Sequence, residues 1–284
     1  MGKHYVPQEY LRAFAEHSDP DQIWMFDKAS KAWRRAAIAK VAQERDYYPA
    51  DVEEKLNKQV EVPANLALKQ LRDREVFTSQ DRAALGNYIA VMTMRVPRKR
   101  RRGYELLPEV LESTIADARE LFTDLAQRTN PAALPKYLEQ IEIARKKFAT
   151  APPPETQQEI ENPWPSTENL NAIHGMVWRF VTPARTDLQF ITSDNPAFFF
   201  DFYGVGTPDS ELTFPVAPDL CLLGSNQGIP GSTLHVTGTR AVVFEANRRI
   251  AVGAERFIFH SREASWIGTL ARHKDQSRLN RIKW

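Results

Sequence analysis

The sequence predicts an α+β fold: a helix-rich N-terminal and middle portion packed with a small, mainly antiparallel C-terminal sheet and late helices. Two observations carry this. From Leu56 to Phe148 the apolar residues recur at steps of three and four, the period of helices with one buried face. Beyond the proline-rich stretch A-P-P-P-E-T-Q-Q-E-I-E-N-P-W-P-S (Ala151–Ser166), short β-branched and aromatic runs take over, as strands require.

The elements follow in chain order. Pro7 suits a first helical position, where its missing N–H costs nothing, and the short helix after it carries Tyr10, Leu11 and Phe14 on one face. Asp19-Pro20-Asp21 is a turn, and I-W-M-F-D-K-A-S-K-A-W (Ile23–Trp33) reads as a hairpin. K-V-A-Q-E-R-D-Y-Y-P (Lys40–Pro49) is a bent connector. Leu56, Val60, Ala64, Ala67 and Leu71 make a helical stripe that Pro63 kinks or divides. T-S-Q-D (Thr78–Asp81) is a capping box opening a helix with the stripe Leu85, Tyr88, Met92. Leu111, Ile115, Ala118, Phe122 and Leu125 mark the next helix. Leu134, Leu138, Ile141, Ala144 and Phe148 mark its antiparallel partner, joined at Asn130-Pro131. Residues 151–166 read as a linker or mobile loop. Strands are expected at Met176–Val181, Leu188–Thr192, Leu212–Ala217 and the L-C-L-L that follows. A late helix is expected along Val243, Asn247, Ile250, Ala254 and Phe257. The whole, residues 1–284, is expected to be one domain with sub-regions 1–150, 151–166 and 167–284.

Composition narrows the classes. The chain is 42% apolar and 26% charged over 284 residues, enough for a real core and unlike a disordered chain. With 38 Lys+Arg against 36 Asp+Glu the formal charge is +2, so any pull on a polyanion comes from a local patch. The single Cys221 excludes an internal disulfide and a Cys-rich zinc cluster. No apolar signal segment opens the chain and no run approaches about eighteen apolar residues, so a cytoplasmic protein without a membrane span is expected. G-x-x-x-x-G-K-[ST], G-x-G-x-x-G and H-E-x-x-H are absent. L-G-S-N-Q-G (Leu223–Gly228) does not match the G-x-S-x-G elbow. The six histidines are scattered. Spacing therefore supports no metal site, although a divalent metal assembled from His4 and distant carboxylates stays open.

Three polar features interrupt these patterns. Arg95 continues the stripe Leu85, Tyr88, Met92, so it faces the core and needs a carboxylate or an anionic ligand, with Glu61 and Asp194 as candidates. Asn247 sits in the late apolar stripe, and Glu61 at the edge of the Val60–Ala64 face. These residues read either as a structural ion pair with a backbone-bonding Asn, or as a polar pocket between helices. F-I-T-S-D-N-P (Phe190–Pro196) sets Ser193, Asp194 and Asn195 at a strand's end, which reads as a reactive edge or as an Asx-type turn. R-V-P-R-K-R-R-R-G-Y groups Arg98, Lys99, Arg100, Arg101 and Arg102 beside Tyr104, which reads as a phosphate-binding patch or as a solvated helix end.

Taken in order, H-Y-V-P-Q-E-Y-L-R-A-F, I-W-M-F-D-K, R-D-Y-Y, M-R-V-P, F-I-T-S-D-N-P, L-T-F-P-V-A-P and N-R-R-I-A-V-G-A-E-R-F-I resemble the mainly bacterial family catalogued as domain of unknown function 4238. That resemblance spans His4 to about His260. It implies that the recurring polar positions are His4, Glu61, Arg95, Ser193, Asp194 and Asn247. Here Val62-Pro63 follows the glutamate where a small residue is expected, and Val96 stands where Thr is more usual.

The residue reading and the resemblance converge on His4, Glu61, Arg95 and Asp194 as catalytic candidates, with Ser193, Asn195 and Asn247 in support. A histidine exchanges protons near neutral pH, and arginine holds an anionic group. The set suits phosphodiester hydrolysis, metal-assisted or not, with Arg98–Arg102 guiding in nucleic acid, as in bacterial defence or toxin proteins. The competing expectation is a non-catalytic module that binds nucleic acid or protein, its polar cluster structural.

Overall fold

The structure is a computed structural model describing residues 2–45, 47–200, 203–272 and 275–282. It is an α+β fold. Strand β1 (Gly2–His4) pairs antiparallel with a later strand, and α1 (Gln8–Arg12) follows Pro7, whose fixed φ of −58° leads into the first turn. Tyr10, Leu11 and Phe14 are fully buried. The Tyr10 hydroxyl lies 2.7 Å from Thr192 Oγ1 and donates to Pro215 O at 2.7 Å, which anchors the start of the chain.

The hairpin is present as β2 (Gln22–Asp27) and β3 (Ala32–Ala37), and β4 (Gln43–Arg45) is the partner of β1, with His4 opposite Gln43. Pro63 does divide its helix. α2 (Ala50–Leu56) ends in a π turn, Asn57–Glu61, before α3 (Val62–Arg72) begins with Pro63 in its first turn. A proline has no N–H to give the carbonyl four residues back and its ring crowds that carbonyl. The wider turn accommodates it and sets Glu61 at its last position. α4 (Ser79–Met94) opens on the expected capping box: Asp81 N donates to Thr78 Oγ1 at 3.2 Å, and Thr78 N to Asp81 Oδ2 at 2.8 Å.

Residues 97–162 form a compact unit of their own. α5 (Pro97–Thr129) and α6 (Leu134–Thr150) are antiparallel: Glu112 pairs with Arg145, Arg119 with Glu142, and Phe122 with Tyr137. Asn130 turns the chain between them by accepting from Ala132 N. The proline-rich stretch expected as linker or loop holds a helix, α7 (Pro154–Glu161). Pro153 and Pro154 supply the φ of a helix start and give up only N–H groups that a first turn leaves unpaired.

The other unit gathers residues 1–96 and 163–284. After α8 (Thr167–Gly175) come β5 (Val177–Pro183), β6 (Thr192–Ser193), β7 (Phe198–Phe199), β8 (Glu211–Ala217), β9 (Leu220–Ser225) and β10 (Thr233–Gly238). α9 (Arg240–Gly253), β11 (Phe257–His260) and α10 (Ser265–Leu270) follow. One sheet has the order β10-β5-β9-β8-β7, antiparallel except for the β5–β10 pair; the other has the order β3-β2-β11-β6, antiparallel throughout. Trp178, Phe180, Phe214 and Leu222 fill the core on the first sheet.

Two expectations need correction. Phe257 lies in β11, not on the late helix, which stops at Gly253 because Ala254 turns to φ −58°, ψ 132°. The expected strand Leu188–Thr192 is ordered as a strand only from Thr192 to Ser193. Among the described residues no helix is long and apolar enough to cross a membrane.

Candidate functional site

Arg95 is the residue around which the site is built. It caps α4 one turn past Met92, and the stripe Leu85, Tyr88, Met92 carries it inward to 1% exposure. Its Nη1 donates to Glu61 Oε1 at 2.5 Å, and its Nη2 donates to the main-chain oxygen of His4. The carbonyl of Arg95 accepts from Tyr48 Oη at 3.1 Å, with the guanidinium carbon 6.0 Å from the centre of that ring. A buried guanidinium thus joins the π turn, the first strand and the end of α4. The pairing expected of Arg95 falls to Glu61.

His4 is half-buried, and its Nε2 is buried with no hydrogen-bond partner among the described residues. Burial pulls its pKa below the ordinary histidine value, the Arg95 charge pulls the same way, and the Ala39 backbone and Glu61 oppose them. The imidazole is therefore neutral near pH 7. Glu61 keeps 17% of its side chain exposed, so the pair reaches solvent on its acidic side. Behind it stands Tyr88, fully buried, its hydroxyl without a partner among the described residues and its pKa pushed up by burial and by the Glu61 charge. Asn65, one helical turn after Glu61, also has a buried, unpartnered Oδ1 among the described residues. Sequence reasoning placed Tyr88 only as core and missed Asn65. Its spacing of four from Glu61 was the available signal.

Asp194 takes its hydrogen bonds elsewhere. It accepts from the backbone N–H of Glu255, Arg256 and Phe257 at 2.8, 2.7 and 2.8 Å, where the chain leaves α9 for β11. Burial pushes its carboxyl up to about 6 against the pull of the Phe257 and Arg256 amides. Its charge also raises the pKa of Tyr5, which burial has already raised. Ser193 Oγ donates to Asn195 O at 2.9 Å and accepts from Asn195 N at 3.1 Å. Asn195 Nδ2 donates to Gly253 O at 2.9 Å, while Asn247 accepts from Ile191 N at 3.0 Å and donates to Gln189 O at 2.8 Å. Asp194, Asn195 and Asn247 staple the segment 189–195 to α9 and to the start of β11 through main-chain groups, while Ser193 closes the turn within the segment.

Arg98, Lys99, Arg100, Arg101 and Arg102 open α5 in the other unit, so they lie at a helix N-terminus rather than a C-terminus. Lys99 Nζ donates to Ile160 O at 2.7 Å, closing the end of α7, and Arg101 pairs with Glu105 at 3.3 Å. A second buried pair went unread in the sequence: Arg249 Nη2 to Glu211 Oε2 at 2.5 Å, with Arg249 also holding Asn280 O.

No three His, Cys, Asp or Glu side chains among the described residues gather closely enough to hold a metal ion. His4 and Glu61 alone, with the Arg95 cation already on Glu61, do not form a metal cage. No curated protein and no solved structure matches the chain. A family model matches residues 3–264, and the chain belongs to the family described as protein of unknown function (DUF4238).

Proposed function

We propose that the chain is a nucleic-acid-directed hydrolase that cleaves a phosphodiester, with His4 as general base. The observation that carries this reading is the unpartnered Nε2 of a neutral, half-buried imidazole beside an Arg–Glu pair. A neutral imidazole at neutral pH accepts a proton from an attacking water, which is the step phosphodiester hydrolysis needs. Arg95 is a positioning residue: it fixes the backbone of His4 and the carboxylate of Glu61 from behind. Arg98–Arg102 add positive charge at the positive end of a helix dipole, which raises the local potential toward a polyanion rather than cancelling it.

One observation favours a non-catalytic binding module instead. The hydrogen bonds of the Arg95 guanidinium go to Glu61 and to the main chain of His4, as in a purely structural pair. Incubating the purified chain with RNA and with DNA, with and without divalent cations, beside His4→Ala, decides between them. The hydrolase reading expects cleavage that His4→Ala abolishes while the melting temperature holds. Absence of cleavage in the wild type, or full cleavage by His4→Ala, rejects it.

A further inference from the structure

A cavity that uses neither His4, Glu61, Arg95 nor Asp194 is built on α9. Arg240, Val243, Phe244 and Asn247 fall at steps of three and four, one face of that helix. With Leu188, Gln189 and Trp266 they line a space of about 270 Å3, at the small end of ligand pockets. Phe244 and Trp266 are 51% and 39% exposed, so two large aromatic faces meet solvent there. The Trp266 ring is steadied edge-on by His260, with centres 6.0 Å apart. Gln189 supplies the polar signal. Its main-chain oxygen is taken by Asn247, yet its side-chain Oε1 is buried and has no partner among the described residues. Gln189 thus leaves an unsatisfied amide oxygen beside the cavity, which a small turn of the side chain offers to a donor on whatever enters.

Charge completes the description. Arg240 and Arg262 line the same cavity, and the start of α9 at Arg240 adds the positive end of a helix dipole. The acid in the lining, Asp187, is bidentate to Arg185 at 2.9 and 3.0 Å, which offsets its charge. An inorganic anion has no use for the aromatic walls, and an apolar ligand has none for the arginines.

We propose that this cavity binds a mononucleotide, its base against Phe244 and Trp266, a base N–H on Gln189 Oε1, and its phosphate on Arg240 and Arg262. The proposal is independent of the hydrolase reading, since it uses neither His4, Glu61 nor Arg95.

Calorimetric titration of the full chain with AMP, GMP, CMP and UMP, beside ribose 5-phosphate and inorganic phosphate, tests it. At least one nucleotide binds saturably, and ribose 5-phosphate binds about tenfold or more weaker because it lacks the stacked base. Phe244→Ala and Arg240→Glu each weaken the nucleotide about tenfold, while His4→Ala leaves it unchanged. Both side chains are exposed, so melting curves will show these variants folded; Phe244→Leu replaces Phe244→Ala if that variant melts early. No saturable binding by any nucleotide, equal binding of ribose 5-phosphate, or unchanged affinity in a folded Phe244 variant overturns the proposal.

Discussion

Arg95 and Glu61 stand 34 residues apart in sequence and 2.5 Å apart in space, the guanidinium sealed in the core and the carboxylate at its edge. The asymmetry decides which loss hurts more. Without Arg95, Glu61 can turn to water; without Glu61, Arg95 is left as a buried charge hydrogen-bonded, among the described residues, to the His4 carbonyl alone. Glu61→Gln is expected to cost about 3–5 kcal/mol in urea unfolding. Adding Arg95→Met to Glu61→Gln should recover part of that loss, since the pair is then removed together. A cost under about 1 kcal/mol for Glu61→Gln would show that the pair contributes no more than a surface ion pair.

Asp194 gives a local prediction. Its carboxylate is the acceptor for the amides of Glu255, Arg256 and Phe257, the three residues that redirect the chain into β11. Asp194→Asn replaces one acceptor oxygen with a donor facing those N–H groups, and is expected to cost about 3 kcal/mol. The amide exchange of residues 255–257 should accelerate ahead of their neighbours. The cost should grow at pH 5 relative to pH 8, because the wild-type carboxyl, pushed up to about 6, takes up a proton more readily folded than unfolded and so stabilises the wild type there, which Asn cannot do. Equal cost at both pH values would contradict the raised carboxyl pKa in the folded state.

Much of this was legible, and the boundary is physical. Arg95 was readable because a helix repeats faces at steps of three and four, so a charge on an apolar stripe must point inward. The docked start was readable because Tyr10, Leu11 and Phe14 share a face. The partners of Asp194 were not, since main-chain amides carry no residue type and leave no spacing to detect. Phe257 misled for a related reason: it keeps the helical step after Ala254, but the chain has already turned, and side-chain periodicity does not report φ and ψ. β10 went unread although T-L-H-V-T-G alternates polar and apolar residues; the run is short and sits at a sheet edge, paired parallel with β5 alone. The π turn is a response to Pro63 that no periodicity rule contains.

His260 is buried at 1% exposure, and burial pushes its pKa down to about 4. The sign follows from linkage. Unfolded, the imidazole takes up a proton below about 6.5; folded, it resists until about 4, so stability is lost as pH falls through that window. The His260 share amounts to about 3 kcal/mol by pH 4. Asp194 acts with the opposite sign over an overlapping range, because its raised pKa makes the folded state the better proton binder there. The His260 share is therefore read as the difference between wild type and His260→Asn, which should lose less stability between pH 7 and pH 4. Parallel curves for the two proteins would remove His260 as the cause.

The pH profile of cleavage is the sharpest check on His4. A general base works only in its neutral form, and burial together with Arg95 keeps the His4 pKa below the ordinary histidine value. The rate should rise with pH through a point below that of an unperturbed imidazole, about 6.5. Glu61→Gln removes a charge that raises this pKa, so the rising limb should shift to lower pH in that variant. Arg95→Met removes one that lowers it, and should shift the limb upward. A purely structural cluster would change stability in these variants without moving a pH–rate profile in opposite directions. Single-turnover rates on a short oligonucleotide, measured from pH 5 to 8 with the wild type and both variants, give the comparison. Profiles that coincide would mean that His4 is not the group whose ionisation sets the rate.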